Sequence, residues 1–185
     1  MLERRYKCLK TNSYTKDNFE LIPIRNEDKF DIMNWRNQQI DILRQSKLLT
    51  KETQTIYFEK VVAAIFQEEN PEQLLFSFLE NGVLIGYGGL VHINWIDRNA
   101  EISFLINTEL EKSAFDLYWG TYLSLLFKVA FDELKLHKIY TYAFDLRPQL
   151  YKVLLQKGFK EEARLKEHCF YKEKYIDVLI HSKFN

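Results

Sequence analysis

Glycine, proline and cysteine are all scarce in this chain, at 6, 3 and 2 of 185 residues. So little glycine and proline, beside 46% apolar and 15% aromatic residues, excludes a disordered or low-complexity polymer and points to one tightly packed domain. The two cysteines, Cys8 and Cys169, form no CxxC motif and cannot build a disulfide scaffold, which a chain with this much core does not need. Net charge is missing as well. Twenty-six Lys and Arg balance 26 Asp and Glu, so no global field recruits nucleic acid or an anionic membrane. No window approaches 18 uncharged apolar residues, and the N-terminal MLERRYKCLKTNSYTKDNF is basic without the apolar stretch of a signal peptide. The expectation is a soluble, cytoplasmic monomer or homodimer that handles a small molecule, with no nucleic acid and no membrane among its partners. No metal is expected, because His137, His168 and His181 are dispersed and His168-Cys169 is only a weak pair.

What is present is a run of alternating patterns. Residues 1–18 are polar and Lys-rich and read as an arm or extra edge element, leaving 19–185 as the domain. FELIPI (19–24) alternates as a short strand that Pro23 confines to an edge or terminus. Residues 27–39 read as a helix followed by a loop. Thr50 is a candidate N-cap for a second helix ending near Asn70-Pro71. In LLFSFLENGVLIGYGGL, Asn81-Gly82 supplies the positive φ angles of a two-residue hairpin turn, and Gly86, Gly88 and Gly89 mark a bulge or a close backbone approach. AEISFLI sets Ile102, Phe104 and Ile106 on one face and Glu101 and Ser103 on the other. Residues 116–134 form the strongest helix, 137–143 a buried strand, RPQLYKVLLQKGF a helix stopped at Gly158, and the remainder a hairpin around Lys172 to Lys174. The class is α/β with a central mixed, twisted sheet of about seven strands and about four flanking helices.

GYGGLVHI, AEISFLI, VAFDELKLHKIYTYAF and LLQKGFKEEARLKEHCFYKEKYIDVLIHS, in that order and spacing, resemble the GCN5-related N-acetyltransferases (GNAT), in particular the branch of ribosomal-protein alanine and UDP-amino-sugar acetyltransferases. The resemblance covers 19–183 and implies the GNAT fold. It also implies acetyl-CoA as co-substrate and transfer of its acetyl group to a primary amine, with an amino-sugar nucleotide as the first candidate acceptor. A protein N-terminus is the alternative acceptor, and a non-catalytic GNAT-fold binding module is the alternative of a different class. In that fold the thioester arm lies between AEISFLI and HKIYTYA, so Leu105 and Ile106 are implied cofactor contacts, and the pyrophosphate meets the following helix start.

The chain departs from the family pattern where the phosphates would sit. The segment aligned with RxxGxG or QxxGxA is Phe115-Asp116-Leu117-Tyr118-Trp119-Gly120. Tyr118, Trp119, Gly120 and Thr121 are therefore the candidate loop contacts, with Lys112 and Arg147 as compensating cations. Leu154 stands where many relatives carry a Tyr that protonates the departing thiolate, and Tyr151, one turn earlier, is the substitute candidate. Glu101 is the preferred general base, because an ammonium group must lose a proton before it can attack; the alternative is a sheet-end Glu paired with Arg98 or a lysine. His92 is the competing base or, alternatively, a structural histidine. Arg36, Asn37 and Arg44, in WRNQQIDILRQ, are candidates for the acceptor wall or plain helix-surface groups.

Overall fold

In the computed structural model, which describes residues 4–43 and 45–185, Asn81 and Gly82 take φ of 50° and 78° and fold the two glycine-rich strands into a tight hairpin. The elements run β1 (Tyr14–Lys16), β2 (Phe19–Pro23), α1 (Lys29–Gln38), α2 (Lys51–Tyr57), a π turn (Phe58–Val62), α3 (Ala63–Ile65), β3 (Leu74–Glu80), β4 (Val83–Asn94) and β5 (Asn99–Ile106). Then come α4 (Thr108–Phe127), a π segment (Lys128–Glu133), β6 (Lys138–Phe144), α5 (Pro148–Gln156), β7 (Lys160–Tyr171) and β8 (Lys174–Phe184). The strands make one sheet in the order β1-β2-β3-β4-β5-β6-β8-β7, and β5 with β6 is its parallel pair.

The sheet has eight strands where about seven were expected. The additional strand, β1, is an edge strand from the segment read as an arm or extra edge element, and that segment also buries Tyr6, Leu9 and Tyr14. The Tyr6 hydroxyl donates to the Leu75 carbonyl at 2.6 Å and accepts from the Leu75 N–H at 2.9 Å, so three aromatic or aliphatic residues spaced among lysines suffice to dock it. Thr50 caps α2 by accepting from the Thr53 N–H, and the Thr53 side chain returns the bond to Thr50. The helical run ends at Ile65, short of the expected Asn70-Pro71 stop.

The α4 helix is bent at Ala114 (φ −150°, ψ 49°), which splits it into two helical pieces. The second piece drives Trp119 and Tyr122 into the sheet. Tyr122 stacks on Phe104 with centroids 3.7 Å apart, and Trp119 meets Phe104 edge-on at 4.7 Å. Such aromatic pairs add about 0.5–1.5 kcal/mol beyond area burial and fix the height of α4 over β5. Gly158 (φ 82°) ends α5, as its place in the sequence required.

Candidate active site

The parallel pair β5 and β6 is laddered only from Asn99 with Lys138 to Glu101 with Tyr140. Beyond that point β5 runs on to Ile106 and β6 to Phe144 without pairing to one another, so the sheet opens as a V. A cleft of about 890 Å³ passes through it. On one side it is walled by Trp119 of α4 and by Arg147 and Leu150 at the start of α5. On the other it is walled by the α2–α3 region and by Glu72 and His92. Two polar atoms that line this cleft have no hydrogen-bond partner among the described residues: Trp119 Nε1 and Thr141 Oγ1, in residues only 4% and 5% exposed. Buried donors are nearly always satisfied, so a cleft that leaves two of them open is built to receive acceptors.

Glu101 sits at the apex of the V. Its carboxylate Oε2 lies 3.0 Å from His92 Nδ1, with the Glu101 side chain 12% exposed and that of His92 71% exposed. A β-bulge makes this contact possible. Val91 pairs with Glu101 and Asn94 with Asn99, so β4 carries one residue more than β5 across that stretch. His92 takes the left-handed conformation, φ 50°, that histidine adopts more readily than most residues. In a regular strand the residue after Val91 would face away from Glu101; the bulge turns it back. Two residues proposed as rival bases are thus brought together: a largely buried carboxylate with a solvent-facing imidazole beside it. The carboxylate bonds the His92 ring.

The other expected site residues are sorted by the fold. Trp119, Arg147 and Arg36 line the cleft. The Arg147 guanidinium is held at 2.8 Å by Glu111, and Arg36 donates to the Tyr87 hydroxyl at 2.7 Å and to Gln45 at 3.1 Å. Leu105 and Ile106 are buried at the end of β5, with the Ile106 carbonyl accepting from Gln39. Tyr118 does not reach the loop: it packs edge-on to Phe19 and donates to Glu80. Gly120 and Thr121 are buried inside α4, Gly120 against Lys157. Lys112 stays on the helix surface, paired to Glu109 at 2.8 Å. Asn37 braces its own loop by bonding both backbone groups of Leu49. Arg44 lies outside the described residues. Tyr151 is turned away from the cleft: its ring stacks on His181 at 5.0 Å, and its hydroxyl bonds Asp145 at 3.1 Å and the Phe144 carbonyl at 3.4 Å. Burial first, then the Asp145 charge, raise its pKa well above the ordinary tyrosine value, so this hydroxyl keeps its proton. Thr141 was missed because a threonine in a strand carries no sequence signal of function. No cluster of three or more His, Cys, Asp or Glu side chains that could hold a metal ion occurs among the described residues, and no described helix is long and apolar enough to cross a membrane.

Comparison with known proteins adds four findings. The Acetyltransferase (GNAT) domain model matches residues 21–180. The spermidine N(1)-acetyltransferase of Vibrio cholerae is 34% identical over 95 residues, 51% of this chain and 53% of that protein, so the match spans about half the length of this curated relative. Among solved structures, spermidine N-acetyltransferase from Vibrio cholerae in complex with CoA and spermine has a TM-score of 0.80 at 23% identity, covering 91% of this chain and 96% of that one. A dodecameric structure of the same acetyltransferase has a TM-score of 0.74 at 24% identity, covering 91% and 95%. At these identities the solved structures establish the shared fold.

Proposed function

This chain belongs to the GNAT acetyltransferase family, and from that premise we propose that it moves an acetyl group from acetyl-CoA to a primary amine of a small, extended cation of the polyamine class. The observation that carries the reading is the placement of the Glu101 carboxylate, with His92 beside it, at the apex of the open V between β5 and β6. An arm threaded through that V presents its thioester next to Glu101. The amine enters from the α2–α3 side, loses a proton to the carboxylate and attacks the carbonyl carbon. The open indole N–H of Trp119 suits an amide carbonyl of the arm, and Arg147 lines the cleft on the α5 side.

The acceptor class rests on the wall the amine would meet. Glu68, Glu72 and Glu101 line the cleft together with Arg36, Lys60 and Arg147; with Arg147 paired to Glu111 and Arg36 turned to Tyr87 and Gln45, the carboxylates favour a chain of ammonium groups over an anionic acceptor. Lys60, on the π turn, interrupts that acidic face. An amino-sugar nucleotide finds less support: Arg36 is engaged by Tyr87 and Gln45, and Asn37 is committed to its loop. The curated relative, a spermidine acetyltransferase, points the same way.

Thermal unfolding with acetyl-CoA tests cofactor binding, with desulfo-CoA and ATP as controls. At about 100 times Kd the linkage is worth about 2.7 kcal/mol, a rise on the order of 5 to 10 °C for a chain of this size. CoA thiol release in the presence of spermidine or spermine then tests transfer. No shift at millimolar acetyl-CoA would sink the reading. A shift with no thiol release from any amine would favour a non-catalytic binding module. That second reading draws on the acidic groups Glu111 and Asp116 at the bent start of α4, paired to Arg147 and Lys152 where phosphates would arrive. Trp119→Phe keeps the ring packing on Phe104 and Phe115 and removes the donor. It is expected to raise the KM for acetyl-CoA about 3- to 10-fold with kcat little changed, the value of one hydrogen bond; an unaltered KM would remove Trp119 from the cofactor site.

A further inference from the structure

We propose that Thr141 is a catalytic residue of this cleft, its hydroxyl donating a hydrogen bond to the thioester sulfur as negative charge develops there. The inference rests on the acetyl-transfer reading above and adds the one component that reading lacks, a donor for the leaving group.

Three observations converge on this side chain. Thr141 is the first residue of β6 past the ladder with β5, next to Tyr140, the partner of Glu101. Its hydroxyl is buried in the cleft wall and has no partner among the described residues, and a buried hydroxyl without a partner is a standing cost that a fold seldom keeps without use. It also lies on the required side of the sheet. Paired residues share a face and successive residues alternate. Glu101 and Tyr140 therefore share one face, where Glu101 meets His92, while Thr141 shares the opposite face with its β8 partner His181, which stacks on Tyr151 of α5. Base and donor thus flank the V from opposite faces, so a thioester lying in it can meet both without their competing for the same space. The neighbouring helix offers no substitute: Leu150 and Leu154 are apolar, and the Tyr151 hydroxyl is bonded to Asp145.

The step balances without a further reactant. From the ammonium form two protons leave: the first passes to the Glu101 carboxylate and on to solvent past the exposed His92, the neutral amine nitrogen then forms the N–C bond and gives its second proton to the carboxylate, and the C–S bond breaks with its electron pair left on sulfur. An aliphatic hydroxyl is too weak an acid to surrender its proton to a thiolate, so Thr141 stabilises the charge by hydrogen bonding and CoA departs as the thiolate. Preorganised donors of this kind typically contribute about 10²- to 10³-fold in rate when aimed at developing charge; the diffuse charge of sulfur places the expectation at the low end.

The test is the single-turnover release of CoA thiol from acetyl-CoA with spermidine, for wild type, Thr141→Val and Thr141→Ser. Thr141→Val, of nearly equal shape, is expected to slow release by about 10- to 100-fold. Its Kd for acetyl-CoA should stay within about twofold and its thermal midpoint should not fall, since an unpartnered hydroxyl gives way to a methyl group. Thr141→Ser should restore most of the rate. A Thr141→Val enzyme as fast as wild type overturns the assignment and leaves the acetyltransferase reading intact. Equal losses in the Val and Ser variants overturn it too, since the methyl group would then be the part that matters. Should Thr141→Val fold poorly, the Ser variant alone decides: the assignment requires it to remain fast. A wild type that releases no thiol with any amine sinks the acetyl-transfer reading and this inference together.

Discussion

Glu101→Gln is expected to lower kcat by about 10² to 10⁴, with the fold and acetyl-CoA affinity retained. Glutamine fills the same volume at the apex of the β5–β6 opening and can still bond the His92 ring. What it loses is the capacity to accept a proton from the incoming ammonium. His92 is far more exposed than Glu101, 71% against 12% for the side chains, and touches the carboxylate on its solvent side, so His92→Ala should cost much less, on the order of tenfold. Steady-state rates with spermidine across pH, with calorimetric acetyl-CoA affinity as the control, separate the possibilities. Near-wild-type turnover by Glu101→Gln at all pH values would remove the carboxylate from the chemistry. A loss in His92→Ala equal to that in Glu101→Gln would make the imidazole the base and the carboxylate its orienter.

How far the sequence could lead depended on whether a signal was local. The Asn81-Gly82 turn, the Thr50 cap and the Gly158 stop are each set by one or two residues with special backbone or capping chemistry, and each lies where those residues required. The alternation of AEISFLI likewise put Glu101 opposite Phe104, which packs on Tyr122. Contacts that depend on a third element were not legible. Tyr151 stood at a suitable helical position, yet Asp145 and His181, brought up by β6 and β8, turned it away from the cleft. Tyr118 was a candidate contact for the phosphates, but it lies within α4 past the bend at Ala114 and packs toward Phe19 and Glu80. The β4 bulge that aims His92 at Glu101 is one extra residue in a strand with no glycine or proline at that point, so nothing in the pattern announced it. The N-terminal segment read as an arm or extra edge element because its polar and charged residues outnumber its apolar ones; Tyr6, Leu9 and Tyr14 nonetheless reach the core.

Gly89→Ala is expected to be among the most destabilising single substitutions in the chain, while Gly82→Ala is mild, and the contrast separates two uses of glycine. Gly82 holds φ 78° with nothing within 4 Å of a built Cβ, so alanine there incurs only the left-handed backbone penalty of about 1–2 kcal/mol. Gly89 faces the opposite situation. Its backbone is extended, but a Cβ would land on the Leu74 carbonyl and crowd Leu75 Cα, both main-chain atoms of β3 that cannot swing aside. The β3–β4 pairing must spread or break, which puts the cost at about 3 kcal/mol or more, a fall in Tm on the order of 6 to 12 °C. Gly88 makes the matching approach on the other side, toward Ser103 and Phe104 of β5. Gly88→Ala should therefore lower stability and also disturb the strand that walls the cleft, reducing turnover in the fraction that remains folded. Thermal unfolding of the three variants, with activity measured well below each midpoint, checks the order. A Gly89→Ala protein as stable as Gly82→Ala would mean that β3 and β4 are not held as closely as the glycine pair implies, and that the footing of the bulge carrying His92 is softer than this geometry requires.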